Sequence, residues 1–189
     1  MTAPEQHLLR DERGFSLAEI LTIVAIIALI FGISIIAFQA AATTLQGDAN
    51  LRIIEGQFKL ARDTAVAQRR AVQVVLVAPN RIQVIRMDRP AGTTLLSSAT
   101  LENNARFVNF DNVPDTPESF GDASVYVPGM DVPYRFTADG MFTDAAGSPV
   151  NATVFVGQPG NVITARALTV FGTTARIRTY RWNGSAWSH

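Results

Sequence analysis

The chain has 189 residues, no cysteine and two histidines, His7 and His189, and its 16 basic side chains balance 16 acidic ones. These counts exclude disulfide and thiolate chemistry, and they leave residues 8–188 without the commonest general base and metal ligand. The length suits one membrane segment plus a single domain of roughly 100–150 residues, and a net charge of zero names no partner.

Residues 1–13 are polar and charged, and residues 20–38 then run for nineteen positions without a charge, rich in Ile, Leu, Val and Ala. At 1.5 Å per residue such a helix spans about 28 Å, close to the hydrocarbon thickness of a bilayer. Arg10 and Arg13 precede it and the next Lys or Arg is Arg52, which places the N-terminus in the cytoplasm. Ala40-Ala41-Ala42 imitates a signal-peptide cleavage site, but the apolar run is longer than a signal core and the helical pattern continues past it. An uncleaved anchor is the other plain reading.

Neither plain reading accounts for Glu19, a lone carboxylate at the start of the apolar stretch. A charge at membrane depth costs a few kcal/mol unless it is paired or near the interface. A cut between Gly14 and Phe15 creates an α-ammonium at Phe15, four residues before Glu19 on the same helix. In an assembly of parallel helices, the ammonium of a neighbouring subunit serves equally. The alternative is an interfacial anchor whose glutamate favours the positive end of the helix dipole.

Residues 40–71 change to an amphipathic pattern. Leu51, Ile54, Phe58, Ala61 and Ala65 recur at three- and four-residue spacing, with Arg52, Glu55, Lys59, Arg62, Asp63 and Arg69 on other faces. Gly32, Thr43-Thr44 and Gly47-Asp48 are the places where the helix would bend or break. Residues 72–77 and 81–86 read as a hairpin around Ala78-Pro79-Asn80. Further strands are expected at 105–110, 134–137, 152–156, 167–171 and 175–182, with 114–129 as an exposed loop. The fold class is α+β: a long N-terminal helix laid against an antiparallel sheet. The division is a leader at 1–14, a transmembrane helix at 15–39, its amphipathic continuation at 40–71 and a β-rich exported domain at 72–189.

Charge is polarised along that domain. Residues 111–144 hold seven acids against Arg135 alone, whereas no acid follows residue 144 and Arg166, Arg176, Arg178 and Arg181 remain. Without a Gly-rich phosphate loop or a Cys/His metal signature, no catalytic residue, cofactor or metal is expected, and the chain reads as a non-enzyme. Asp111, Asp115, Glu118 and Asp122 lack calcium-loop spacing and read as a solvated acidic loop. In a strand, Arg176, Arg178 and Tyr180 share one face while Ile177, Thr179 and Arg181 take the other. Two arginines with no acid near them in sequence, beside Tyr180, Trp182 and Trp187, suit a nucleic-acid backbone and its bases. The plainer reading is the solvent face of an edge strand kept soluble by arginine.

Gly14-Phe15-Ser16-Leu17-Ala18-Glu19-Ile20-Leu21 resembles the class III signal of type IV pilins and type II secretion pseudopilins. The resemblance implies cleavage after Gly14 by a prepilin peptidase, N-methylation of Phe15 and a role for Glu19 in assembly. The proline that the family usually carries midway through the apolar helix is missing, and Gly32 is the only helix-weakening residue there. The second half resembles the GspH/FimT minor pseudopilins through residues 58–66 with Arg69-Arg70-Ala71-Val72, through Phe136-Thr137-Ala138-Asp139-Gly140, and through the late Arg176-Ile177-Arg178 strand. It implies a minor subunit of a type II secretion pseudopilus or type IV pilus in the bacterial inner membrane, its C-terminal domain periplasmic or external. Its partners would be the peptidase, other pilins or pseudopilins and an inner-membrane assembly platform. FimT-like pilins of some DNA-uptake systems carry a Gly-Arg-x-Arg element for DNA. The first alternative is therefore a DNA-binding minor pilin with Arg176 and Arg178 as the contact, although Ala175 stands where that glycine would be. A membrane-anchored domain unrelated to filaments is the second alternative.

Overall fold

A computed structural model describes residues 16–120 and 134–189. Its contacts divide the chain into two units, Met1–Ala40 and Ala41–His189. Helix α1, Leu17–Gln68, runs unbroken through 52 residues, so neither Gly32, Thr43-Thr44 nor Gly47-Asp48 interrupts it. Its end falls three residues before the expected boundary at 71. There Arg69 takes a left-handed conformation (φ 50°), its N–H bonds the carbonyl of Val66 at 3.4 Å, and the N–H of Arg70 bonds that of Ala65 at 3.1 Å. This pair of bonds is a Schellman closure, which satisfies the last free carbonyls of a helix.

In the second unit the strands are β1 (Val72–Val77), β2 (Arg81–Met87), β3 (Thr93–Thr100), β4 (Arg106–Phe107), β5 (Arg135–Phe136), β6 (Phe142–Thr143), β7 (Ala152–Gln158), β8 (Asn161–Val170), β9 (Ile177–Trp182) and β10 (Trp187–Ser188). Among the described residues they form two antiparallel five-stranded sheets, ordered β3-β2-β1-β5-β6 and β10-β9-β8-β7-β4, where the sequence suggested one. The expected hairpin is β1–β2, in register from Val72 opposite Arg86 to Val77 opposite Arg81. Strands β3, β6 and β10 were not foreseen. The expected strand at 105–110 contracts to two residues, and the one at 167–171 lengthens to Asn161–Val170.

The stripe Leu51, Ile54, Phe58, Ala61 and Ala65 is buried against both sheets, together with Val72, Val74, Ile82, Val84, Phe136, Phe142, Val154 and Leu168. Alternation explains β1, whose Val72, Val74 and Leu76 point inward while their neighbours are half-buried. Phe58 sits with its ring centroid 6.2 Å from those of both Phe136 and Phe142, which are themselves 4.9 Å apart. These are favourable aromatic separations, and the trio joins the helix to β5 and β6. Gly140 closes the turn between those strands at φ 77°, a left-handed conformation suited to glycine, with its N–H on Thr137 O at 3.0 Å. The long helix packed on antiparallel sheets is the α+β arrangement expected of a pilin-like chain.

Asn50 fastens the helix to the segment after β3: its Nδ2 donates to Glu102 O at 3.2 Å, and its Oδ1 accepts from Glu102 N at 2.7 Å. Arg166 fastens it to β8. The side chain is 1% exposed, yet Nε reaches Asp48 Oδ1 at 2.8 Å, Nη1 donates to Ile163 O and Ala165 O at 2.9 Å each, and Nη2 donates to Thr44 O at 3.1 Å. A buried guanidinium is tolerable only with its donors satisfied in this way. Gly47 leaves the room: a Cβ there would lie 3.0 Å from the Arg166 Cζ.

Candidate functional site

Two places hold the residues singled out in the sequence. The first is the N-terminal part of α1. Leu17–Ile35 is a 19-residue stretch of mean hydropathy 2.6, long and apolar enough to cross a membrane, and none of it is buried. It begins three residues before the expected 20–38. Ser16 caps the helix through its carbonyl, which accepts from Glu19 N at 2.9 Å and Ile20 N at 3.1 Å. Glu19 therefore lies in the first turn, where the exposed N–H groups favour a carboxylate. Gly14, Phe15 and the leader at 1–14 lie outside the described residues. Within the stretch, Thr22 and Ser34 turn their hydroxyls back to the carbonyls of Ala18 and Ile30, each at 2.8 Å. Their polar atoms are thereby satisfied inside the helix.

The second place is the late arginine strand. Arg178 and Tyr180 share a face of β9, as alternation predicts, and both bind one carboxylate. Arg178 Nη1 lies 3.0 Å from Glu118 Oε1, and the Tyr180 hydroxyl donates to the same oxygen. The acid missing from the neighbouring sequence thus arrives from 60 residues upstream. Glu118, expected in a solvated acidic loop, has a side chain only 4% exposed, whereas that of Arg178 is 38% exposed. Among the described residues no acids or histidines group closely enough to hold a metal ion; Asp122 lies outside them.

Electrostatics follow the geometry. Burial first, and then the bond to Glu118, push the Tyr180 phenol above its ordinary pKa of 10.0. Hydrogen bonding within the same cluster, to Tyr180 and Glu118, raises Arg178. Arg176 falls outside β9, correcting the expected start at 175. Its guanidinium lies over Phe171, 4.6 Å from the ring centroid, and that of Arg178 is 5.8 Å from the same ring. Ala175 is left-handed (φ 46°) and buried, so it holds the conformation a glycine would take most easily at that position.

Of the four arginines in the acid-free C-terminal stretch, Arg178 pairs with Glu118, while Arg166 and Arg181 share Asp48, the latter at 3.2 Å. The polarity seen along the sequence is cancelled by folding at three of the four. Sequence reasoning counted Arg166 among the acid-free arginines but missed its buried position against the helix. Its one signal was a charge inside an otherwise apolar strand pattern, Ala165-Arg166-Ala167-Leu168.

No protein-family model and no curated protein matches the chain. Among solved structures, the minor pseudopilin EpsH from the type 2 secretion system of Vibrio cholerae is similar at 12% identity and a TM-score of 0.49, covering 72% of this chain and 97% of that one. A second structure of EpsH gives 13% and 0.48 over 77% and 97%. The type IV minor pilin FimU of Pseudomonas aeruginosa gives 14% and 0.47 over 80% and 96%.

Proposed function

We propose that this chain is a minor subunit of a type IV pilus or type II secretion pseudopilus. It is made as a prepilin, inserted in the bacterial inner membrane with residues 1–14 cytoplasmic, cut after Gly14 and N-methylated at Phe15. The observation that carries this reading is Glu19 in the first turn of a helix whose Leu17–Ile35 stretch is apolar and exposed throughout. Such a surface needs an apolar surrounding, either lipid or other helices. Lipid leaves Glu19 expensive, whereas parallel helices with an ammonium at Phe15 supply a counter-charge at the depth where it is needed. Where that pair forms between neighbouring helices it also fixes their stagger, because only one register brings the two charges together.

In this role the chain is a substrate of the prepilin peptidase and a partner of other pilins or pseudopilins and of an assembly platform. It performs no catalysis of its own. The test is incorporation. With the companion subunits and peptidase co-expressed, Glu19→Ala should leave the chain in the membrane and processed but absent from sheared filaments, while Glu19→Asp retains partial incorporation. Equal incorporation of Glu19→Ala and wild type would remove the basis of the proposal.

A further inference from the structure

The segment 110–120 crosses the second sheet and is held there by side chains. Trp187 Nε1 donates to Pro114 O at 2.8 Å, Glu118 reaches Arg178 and Tyr180, and Phe120 packs edge-on against Phe171 with centroids 5.1 Å apart. Among the described residues, 114–120 make one backbone–backbone bond, the Thr116–Ser119 turn at 2.8 Å, and none to β9. The sheet therefore reads this strap by a carboxylate and a ring two residues later, not by strand pairing.

The fit is incomplete in two respects. Glu118 Oε2 is buried with no hydrogen-bond partner among the described residues, a costly condition for a buried polar atom. Arg176 stays exposed on Phe171 and enters no ion pair among the described residues, so the face offers a second cation that the strap does not use. Among the described residues the strap leaves Arg176 without an acid, so the same face accommodates an occupant that carries one more.

We propose that Arg176, Arg178, Tyr180 and Phe171 form a docking groove for a partner protein's acidic segment with a carboxylate two residues ahead of an aromatic ring, and that Glu118-Ser119-Phe120 fills it in cis until such a segment displaces it. Charge complementarity and the chemistry of the resident strap select this occupant. Two arginines set over a phenyl ring match a carboxylate pair followed by an aromatic. The proposal stands independently of filament assembly, since it concerns only residues 110–120 and 171–187.

The test uses the full chain in detergent micelles and a fluorescein-labelled peptide of residues 112–120, Asn-Val-Pro-Asp-Thr-Pro-Glu-Ser-Phe, read by anisotropy. Glu118→Gln should bind the peptide about tenfold more tightly than wild type, because the competing internal charge is gone. Adding Arg178→Ala should abolish that gain, and a peptide with Gln in place of its Glu should lose about tenfold on the same chain. If Glu118→Gln loses the near-ultraviolet signal of Trp182 and Trp187, Phe120→Ala, which loosens the strap without touching the buried charge, is read in the same way. Peptide affinity that does not rise when the strap is weakened, or that ignores Arg178→Ala, overturns the proposal. So does a labelled oligothymidylate that gains affinity for the weakened chain when the peptide does not; that result would assign the face to nucleic acid.

Discussion

Residues 17–35 and 51–65 belong to one helix and solve opposite problems. The first stretch is apolar on every face and wholly exposed. The second buries the stripe Leu51, Ile54, Phe58, Ala61 and Ala65, all 5% exposed or less, leaves Ile53 half-buried and Leu60 41% exposed, and gives most of its remaining positions to polar and charged residues. A helix with a single stripe finishes its burial within its own chain, whereas one that is apolar all round finishes it only against other molecules. The sequence thus separates the part of the helix that is buried within its own domain from the part that is left apolar and exposed.

The contrast predicts a steep difference in mutational cost, measured by denaturant unfolding followed through the fluorescence of Trp182 and Trp187. Phe58→Ala, which empties the contact between helix, β5 and β6, should destabilise the domain by about 3–5 kcal/mol. Leu29→Ala, the matching truncation in the exposed stretch, should leave the midpoint unchanged. Comparable losses would mean that the apolar stretch is buried by its own domain. Next in size is Asp48→Ala, which strands the buried Arg166 guanidinium and should cost about 3 kcal/mol. Recovery is expected when Arg166→Met is added, and a double variant no better than Asp48→Ala would show that the pair is not the cause.

A smaller effect is confined to alkaline pH. Because folding raises the Tyr180 pKa above 10.0, the folded state holds this proton more tightly than the unfolded chain does. The associated stability is complete below pH 10 and is lost as pH rises through the folded value. Tyr180→Phe should flatten that limb of the stability–pH curve, and an unchanged limb would remove the phenol from the account. The smallest change is a gain. Arg69→Gly relieves the left-handed Schellman position and should raise stability by about 0.5–1 kcal/mol, visible as a higher denaturant midpoint with unchanged slope.

What could be read from sequence follows from the range of the interactions. The apolar stretch, the buried stripe and the β1–β2 hairpin are local periodicities, and each appears close to where it was expected. Strand β3 escaped notice because Thr93–Thr100 is an edge strand with five of its eight residues exposed, so no alternation marks it. Strands β6 and β10, two residues each, are defined by their partners and carry no pattern of their own. At the candidate site the shared face of Arg178 and Tyr180 was legible from strand geometry. Their carboxylate was not, since Glu118 is 60 residues away from Arg178 and stands among acids that a chain usually leaves in water. The clamp between Asp48 and Arg166 spans 118 residues and was hidden for the same reason.

The central claim is that the exposed apolar helix begins, in the working protein, with a charge created by processing beside Glu19. The most direct measurement is the N-terminal sequence of the chain isolated from membranes of cells with active prepilin peptidase. The account predicts a protein starting at N-methylated Phe15, and the uncut form when the peptidase is absent. A chain that starts at Met1 in both cells would contradict it.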